Sequence, residues 1–308
     1  ACNRCIGEAV HGRGPVRKPA CSVNPVVGNE VLWETTFRPA ERPKRVVVVG
    51  GGAAGMETAR IAAMRGHEVT VLEREDALGG QVRIASKAPG RASFEDFIYY
   101  EENQANALGI DIRLGVDASV EDILALKPDV VVCATGSRPI TPDVPGIDLP
   151  HVVQGWDVLL GRARVGERVA VISAEDHAES INVADYLAAQ GKHVEVFQKW
   201  TTLGAEVDRY SIGIMMKRLE DGGVRIHYGL RLAKVEERRI ILRSAYSGQE
   251  HAFEGFDSVV LVYGSAPDAQ LYRALQPKVA EVFLVGSAWV PRGIYEATQH
   301  AMKVALAI

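Results

Sequence analysis

Cys2, Cys5 and Cys21 crowd the first 21 residues of a 308-residue chain, and the fourth cysteine, Cys133, stands far from them. Cys2-x-x-Cys5 with Cys21 puts three soft thiolates on irregular chain, a set that suits zinc or an iron–sulfur cluster, both of which take four ligands. On spacing alone, ligation stands beside a disulfide or free thiols. His11 is a candidate fourth ligand, but a solvated loop histidine is the simpler account of it, and a fourth cysteine upstream of Ala1 explains the count better. Cys133 closes the apolar run Val130-Val-Val-Cys and reads as a buried structural cysteine.

The second group is a glycine loop. Gly50-Gly-Gly-Ala-Ala-Gly55 satisfies G-x-G-x-x-G, with Ala53 and Ala54 inside it. In this pattern Gly50 allows a tight turn, Gly52 lets backbone approach a pyrophosphate, and Gly55 permits close helix–strand packing. The diphosphate then sits on a helix N-terminus. Glu73, 18 residues after Gly55, is placed to accept hydrogen bonds from adenosine ribose hydroxyls, with Arg74 beside it. A lone match could be a structural turn, so context decides.

The elements supply that context. Arg45-Val-Val-Val-Val-Gly50 reads as a strand buried on both faces, Met56–Arg65 as a helix, and Val69–Leu72 as a second strand. Further strands are expected at Asp129–Cys133 and Val282–Val285. Arg168–Ile172, a helix over Ala178–Gln190 and a strand ending at Phe197 repeat the opening βαβ unit. Strands alternating with helices imply parallel sheets, so the fold class is α/β with two Rossmann-like domains. The expected division is 1–41 as an irregular cysteine segment and linker, 42–156 plus 260–308 as the first domain, and 157–259 as a second inserted in it. The second copy has lost its glycines: after Ile172 the chain reads Ser173-Ala-Glu-Asp-His-Ala-Glu-Ser180, and Gln198 stands where Glu73 would. Glu175, Asp176 and Glu179 there would repel a phosphate.

Composition sets outer limits. Hydrophobic residues make up 47% and charged residues 24%, ordinary for a globular protein of about two domains. A net charge of −4 suggests no nucleic-acid partner. The most apolar run, Val46–Ala54, is short and soon followed by Glu57 and Arg60, so no membrane span is expected. No signal peptide opens the chain, and the expected compartment is the cytoplasm. There is no Ser-His-Asp candidate, and none of the eight histidines has metal-ligand spacing to another. Asp176 and Glu179 read as a solvated helix start. Arg83 and Arg138 lie near the glycine motifs, and Arg83 reads equally as a surface residue.

Together these motifs resemble the C-terminal half of the trimethylamine dehydrogenase / 2,4-dienoyl-CoA reductase family of iron–sulfur flavoproteins. Ala1-Cys2-Asn3-Arg4-Cys5 and Cys21-Ser-Val-Asn-Pro25 match three of the family's four cluster cysteines. The first would lie three residues before Cys2. The similarity runs on through Gly79-Gly80-Gln81, the Ala134-Thr135-Gly136 step and Gly286-Ser287. It implies that Cys2, Cys5 and Cys21 ligate a [4Fe-4S] cluster, and that the glycine motifs, Glu73 and Arg74 hold FAD, or ADP in its place. It also implies an N-terminal FMN-binding (β/α)8 barrel, for which these residues have no room. Ser287 departs from the aspartate the family carries there, which weakens full FAD binding.

The implied function is the electron-transfer half of an amine or N-methyl dehydrogenase (demethylase), passing electrons from the barrel's FMN through the cluster to an external electron-transferring flavoprotein. The lost second fingerprint sides with this group. An NAD(P)H-dependent 2,4-dienoyl-CoA or enoate reductase needs that fingerprint, and a non-catalytic nucleotide-binding module is the third reading. A homo-oligomer is compatible with the sequence. A glutathione-reductase-like disulfide reductase is excluded, because Leu78–Arg91 contains no cysteine.

Overall fold

Four valines in succession make sense only where both faces of a strand are covered, and Val46–Val49 are all buried in the middle of a parallel sheet. The computed structural model describes residues 20–308. In chain order these begin with α1 (Glu30–Thr36), β1 (Arg45–Val49), α2 (Ala53–Met64), β2 (Glu68–Leu72), α3 (Gln81–Ser86), α4 (Phe94–Ala107) and β3 (Asp111–Arg113). There follow α5 (Val120–Ala125), β4 (Val130–Cys133), β5 (Ser137–Pro139), β6 (Val152–Gln154), α6 (Gly155–Leu159), β7 (Arg168–Ser173), α7 (Glu179–Ala189), β8 (His193–Gln198), α8 (Ile212–Asp221) and β9 (Arg225–Tyr228). The last elements are β10 (Leu230–Glu236), β11 (Arg239–Ser244), β12 (Glu250–Glu254), β13 (Ser258–Val262), β14 (Ser265–Pro267), α9 (Gln270–Leu275), β15 (Glu281–Leu284) and α10 (Ile294–Ala307).

The chain divides into two units. Unit 1 runs to Arg83 and takes in Ser93–Arg138 and Ala266–Ile308. Its sheet has the order β15-β4-β1-β2-β3, all parallel. Helices α2, α4 and α10 cover one face, where Val46 and Val48 join Met56, Ala59, Phe97 and Val132 in the core. The other face packs Val47, Val49, Val131 and Cys133 against Ile123 and Leu275. Each such side chain taken from water contributes roughly 1.5–3 kcal/mol.

Unit 2 comprises Ile84–Ala92 and Pro139–Ser265. Its sheet, β6-β13-β7-β8-β9, repeats the theme in parallel, and α7 packs its Ile181, Val183, Ala184 and Leu187 on Val169 and Val171. A three-stranded antiparallel sheet, β10-β11-β12, completes it.

Three features differ from the sequence expectation. Unit 2 takes in Ile84–Ala92 and Pro139–Ser265 where the sequence reading has 157–259, and β6 pairs with β13 (Val152 with Val259) across a long stretch of chain. Such a pairing leaves no local trace. A helix, α1, lies within the stretch read as irregular; its Trp33 stacks on Phe37 at 4.3 Å, and Asn29 just before it bonds Gln299 at 2.8 Å. Seven residues with no buried side chain show no periodicity to read. The antiparallel sheet has no counterpart in the sequence expectation, although Leu232, Val235, Ile240 and Leu242 point to one apolar cluster.

Candidate functional site

The turn joining β1 to α2 is made of glycines that answer to different demands. Gly50 has φ of +111°, and a Cβ there would stand 2.3 Å from the Ala134 carbonyl oxygen, where the chain leaves β4. At Gly55 a Cβ would fall 1.9 Å from the Gly50 carbonyl oxygen. The fold requires both to be glycine. Gly52 is different. It caps α2 with φ −80° and ψ −176°, extended backbone open to any residue, and a Cβ there would meet nothing within 4 Å. No side chain caps the helix. Bare backbone at Gly52 therefore keeps the first amides of a 12-residue helix open on their positive end, which is the chemistry of an anion site.

Glu73 follows β2 directly and is buried, and both carboxylate oxygens are already oriented. Oε2 accepts the Gly51 N–H at 2.6 Å and Oε1 the Glu75 N–H at 2.8 Å. Each oxygen retains a lone pair for a further donor, such as a ribose hydroxyl. Gly51 is the residue that sequence reasoning passed over: a Cβ there would meet Leu78 Cδ2 at 2.4 Å and Glu73 Oε2 at 3.1 Å. The unbroken Gly50-Gly51-Gly52 run was its only signal.

The other expected residues gather around this turn. Gly80, at φ +47°, comes so close that its Cβ would stand 3.4 Å from Gly52 Cα. Gln81 starts α3 and donates from Nε2 to Ser137 Oγ at 2.9 Å, beside Gly136 at φ +76°. Ala134 lies under Gly50, its N–H bonded to the Val49 carbonyl at 2.8 Å. Thr135 donates its hydroxyl to the Asp268 carbonyl, and the Asp268 N–H returns to the Gly136 carbonyl at 3.0 Å. Gly286, at φ +63°, abuts Ala54 in the first turn of α2, where a Cβ would come within 2.5 Å of the Ala54 Cβ. Ala53 opens that helix, and half-buried Ser287 follows Gly286. Arg74 is not drawn in: its guanidinium is about half exposed and lies 3.9 Å from Glu75. Arg138 is held at 2.7 Å by Asp268, and Arg83 lies 3.7 Å from Asp76.

Of the candidate metal ligands, Cys2 and Cys5 lie outside the described residues, as does His11. Cys21 is half-buried against the core of unit 1, and its Sγ accepts the Asn24 N–H at 3.3 Å, the kind of bond that tunes a thiolate ligand. The segment after it is fastened to α10, through the Thr298 hydroxyl on the Ser22 carbonyl at 3.1 Å and Gln299 Nε2 on the Pro25 carbonyl at 3.0 Å. The chain that follows Cys21 is thus fixed in place. Cys133 is fully buried, and burial pushes its thiol up to about 12, which removes it as a nucleophile.

Helix α2 also carries a charged group in the core. Glu57 is fully buried and takes two bonds from Arg60, Nη2 at 2.6 Å and Nε at 2.9 Å. Glu101 of α4 lies beside it, also buried, with no donor to either carboxyl oxygen among the described residues. Burial and the Glu57 charge raise Glu101 well above the usual carboxylate range, so it stands protonated against Glu57. In the sequence, Glu57 and Arg60 stand only as charges that follow an apolar run.

In unit 2 the corresponding turn is occupied by side chains. Ser173 and Ser180 join their hydroxyls at 2.7 Å, and the side chain of Glu175 lies over the start of α7. Glu179, expected to be a solvated helix start, is instead pushed up to about 7 by burial and by the charge of Glu175. Among the described residues, no helix is long and apolar enough to cross a membrane.

A sequence model of the family described as pyridine nucleotide-disulphide oxidoreductase matches residues 44–286. The NADH oxidase of Thermoanaerobacter brockii is 33% identical over 99% of this chain and 46% of its own length. The N,N-dimethylglycine/sarcosine dehydrogenase of Chromohalobacter salexigens is 36% identical over 89% of this chain and 40% of its own. Among solved structures, a 2-naphthoyl-CoA reductase in complex with 2-naphthoyl-CoA superposes with a TM-score of 0.88 at 33% identity, covering 94% of this chain and 44% of that one. The chain spans less than half the length of these relatives. Both cysteines among the described residues, Cys21 and Cys133, are free.

Proposed function

Because the chain belongs to the pyridine nucleotide-disulphide oxidoreductase family, we propose that it is the electron-transfer half of an iron–sulfur flavoprotein that oxidises an amine or N-methyl substrate. Unit 1 binds FAD, or ADP in its place, at the β1–α2 turn. The observation that carries this reading is the contrast between the two turns: bare, open backbone at Gly52 in unit 1, and a carboxylate over the helix start in unit 2. A nucleotide site on one turn and none on the other suits a protein that receives electrons from its substrate and hands them to an external flavoprotein. The 36% identity to an N,N-dimethylglycine/sarcosine dehydrogenase supports the same direction.

In this reading the flavin and a [4Fe-4S] cluster supply the electron relay when bound, and the protein's part is binding and orientation. The α2 amides at Gly52 hold a diphosphate, and Glu73, oriented by Gly51 and Glu75, accepts from the ribose hydroxyls. Gly80, Gln81, Thr135, Gly136, Gly286 and Ser287 frame the rest of the nucleotide, with Gly50, Ala53, Ala54, Gly55 and Ala134 as its floor. Cys2, Cys5 and Cys21 ligate the cluster, and the Asn24 amide steadies the Cys21 sulfur. A separate FMN-binding barrel brings the substrate, in the part of the relatives this chain does not match.

A second reading, an NAD(P)H-dependent enoyl-CoA or enoate reductase, is favoured by the likeness to 2-naphthoyl-CoA reductase. One experiment separates the two. The bound nucleotide is extracted for mass spectrometry, with iron and acid-labile sulfide assayed alongside, and the protein is titrated with NADH and NADPH. Bound ADP or FAD with iron and no reduction by pyridine nucleotide supports the amine dehydrogenase. Stoichiometric bleaching of a bound flavin by NADH or NADPH rejects it for the reductase.

A further inference from the structure

We propose that Glu175 is a built-in anion that closes the second Rossmann turn against the phosphates of a pyridine nucleotide. The inference deepens the reading that unit 1 alone binds a nucleotide, and it assigns the closure to one side chain. In a dinucleotide-binding βαβ unit the diphosphate lies on the first amides of the helix, and a residue at the end of the second strand reads the ribose. Unit 2 keeps both positions and turns both inward. Helix α7 has 11 residues, and the Glu175 carboxylate spans its entry: Oε2 accepts the His177 N–H at 2.6 Å and Oε1 the Ser180 N–H at 2.8 Å. These are short, charge-assisted bonds, one to an amide in the first turn of α7 and one to an amide just before its N-cap, on the positive end of the helix where an incoming phosphate would sit. Glu175 as a residue is 8% exposed, so it is part of the interior and not a side chain waiting at the surface.

The ribose-reading position serves the same loop. Gln198 ends β8, is fully buried, and donates from Nε2 to the Glu175 carbonyl at 3.1 Å. Its Oε1 accepts the Trp200 N–H at 3.3 Å. An amide can do both, where a carboxylate could only accept. Ser173 and Ser180 bridge β7 to α7 by their hydroxyls. In unit 1 the two positions are Gly50 and Gly55, so close that a Cβ at Gly55 would fall 1.9 Å from the Gly50 carbonyl oxygen. The unit 2 turn is wider by two residues, which gives room for both serines and for Glu175 to fold back. Glu179 and Asp176 add acidic groups around it.

The test uses the full chain with its own nucleotide bound, and reads the His177 and Ser180 amides by NMR. In the wild-type protein these amides exchange with solvent about tenfold or more slowly than in Glu175→Ala, and neither inorganic pyrophosphate, NADH nor NADPH shifts them. In Glu175→Ala, pyrophosphate shifts them saturably, at least about tenfold more tightly than in wild type. Unprotected amides in the wild type, saturable NADH or NADPH binding there, or a folded Glu175→Ala indifferent to pyrophosphate each overturns the proposal. If Glu175→Ala fails to fold, Glu175→Gln, which keeps the shape without the charge, takes its place under the same outcomes. Amine oxidation by an enzyme whose unit 2 binds NADH sinks this inference alone. Protected amides in a protein that oxidises no amine sink the functional reading and leave Glu175 in place.

Discussion

Two glycines three residues apart separate what folding demands from what a ligand demands. Gly55→Ala forces a methyl against the Gly50 carbonyl, and it is expected to cost roughly 1–3 kcal/mol or more in denaturant melts, with the turn displaced. Gly52→Ala meets open space and unstrained backbone, so stability should stay within about 1 kcal/mol of wild type. The same methyl stands where a diphosphate needs bare backbone, and nucleotide affinity measured by calorimetry should fall by about tenfold or more. A loss of stability at Gly52 equal to that at Gly55 would show the turn to be purely structural. Glu179 gives a second residue-scale prediction, with its sign set by burial. Its pKa rises from 4.5 to about 7 on folding, so the folded state is penalised as pH climbs through that window. Glu179→Gln should therefore gain on wild type between pH 5 and pH 8, by about 1–3 kcal/mol, and an unchanged difference across that range would refute it.

At the scale of elements, α2 and α4 meet over Glu57, Arg60 and Glu101, and the three side chains are not equivalent. Glu57 holds the Arg60 guanidinium in two bonds, so Glu57→Gln leaves a buried cation without its counter-charge and should cost about 3–5 kcal/mol. Glu101 is raised well above its ordinary value of 4.5, so the folded protein keeps neutral a group that the unfolded chain ionises. Its contribution to stability is lost as pH rises above about 4.5. Glu101→Gln keeps a neutral donor for Glu57 and should match wild type at pH 5 but exceed it at pH 8. Chemical melts of both variants at the two pH values check the pair, and a destabilised Glu101→Gln at pH 8 would mean that the carboxyl is ionised. None of this was legible in the sequence, where Glu57 and Arg60 look like any helical i, i+3 pair. Their burial follows from α4 lying across α2, a contact between segments some 40 residues apart.

For the whole molecule, the proposed single nucleotide site predicts which ligands stabilise it. ADP or FAD at about a hundredfold over its dissociation constant should add roughly 2.7 kcal/mol, while NADH and NADPH add nothing. Equal stabilisation by NADH would count against a single nucleotide site. The sequence by itself determined the α/β class, the β1–α2 turn and the loss of its copy in unit 2. Those features are written in neighbouring residues: valine runs, glycines at fixed spacing, and an acid at the next strand end. Tertiary structure alone decided that β6 belongs to the unit 2 sheet, since it finds β13 across more than a hundred residues. It also decided that Gly51 orients Glu73, that Glu101 faces Glu57, and that Glu175 bends back onto α7 and does not reach into solvent. The physical reason is the same in each case. Backbone conformation is constrained locally, but whether a polar side chain meets water, a charge or a bare amide depends on which distant chain the fold lays against it.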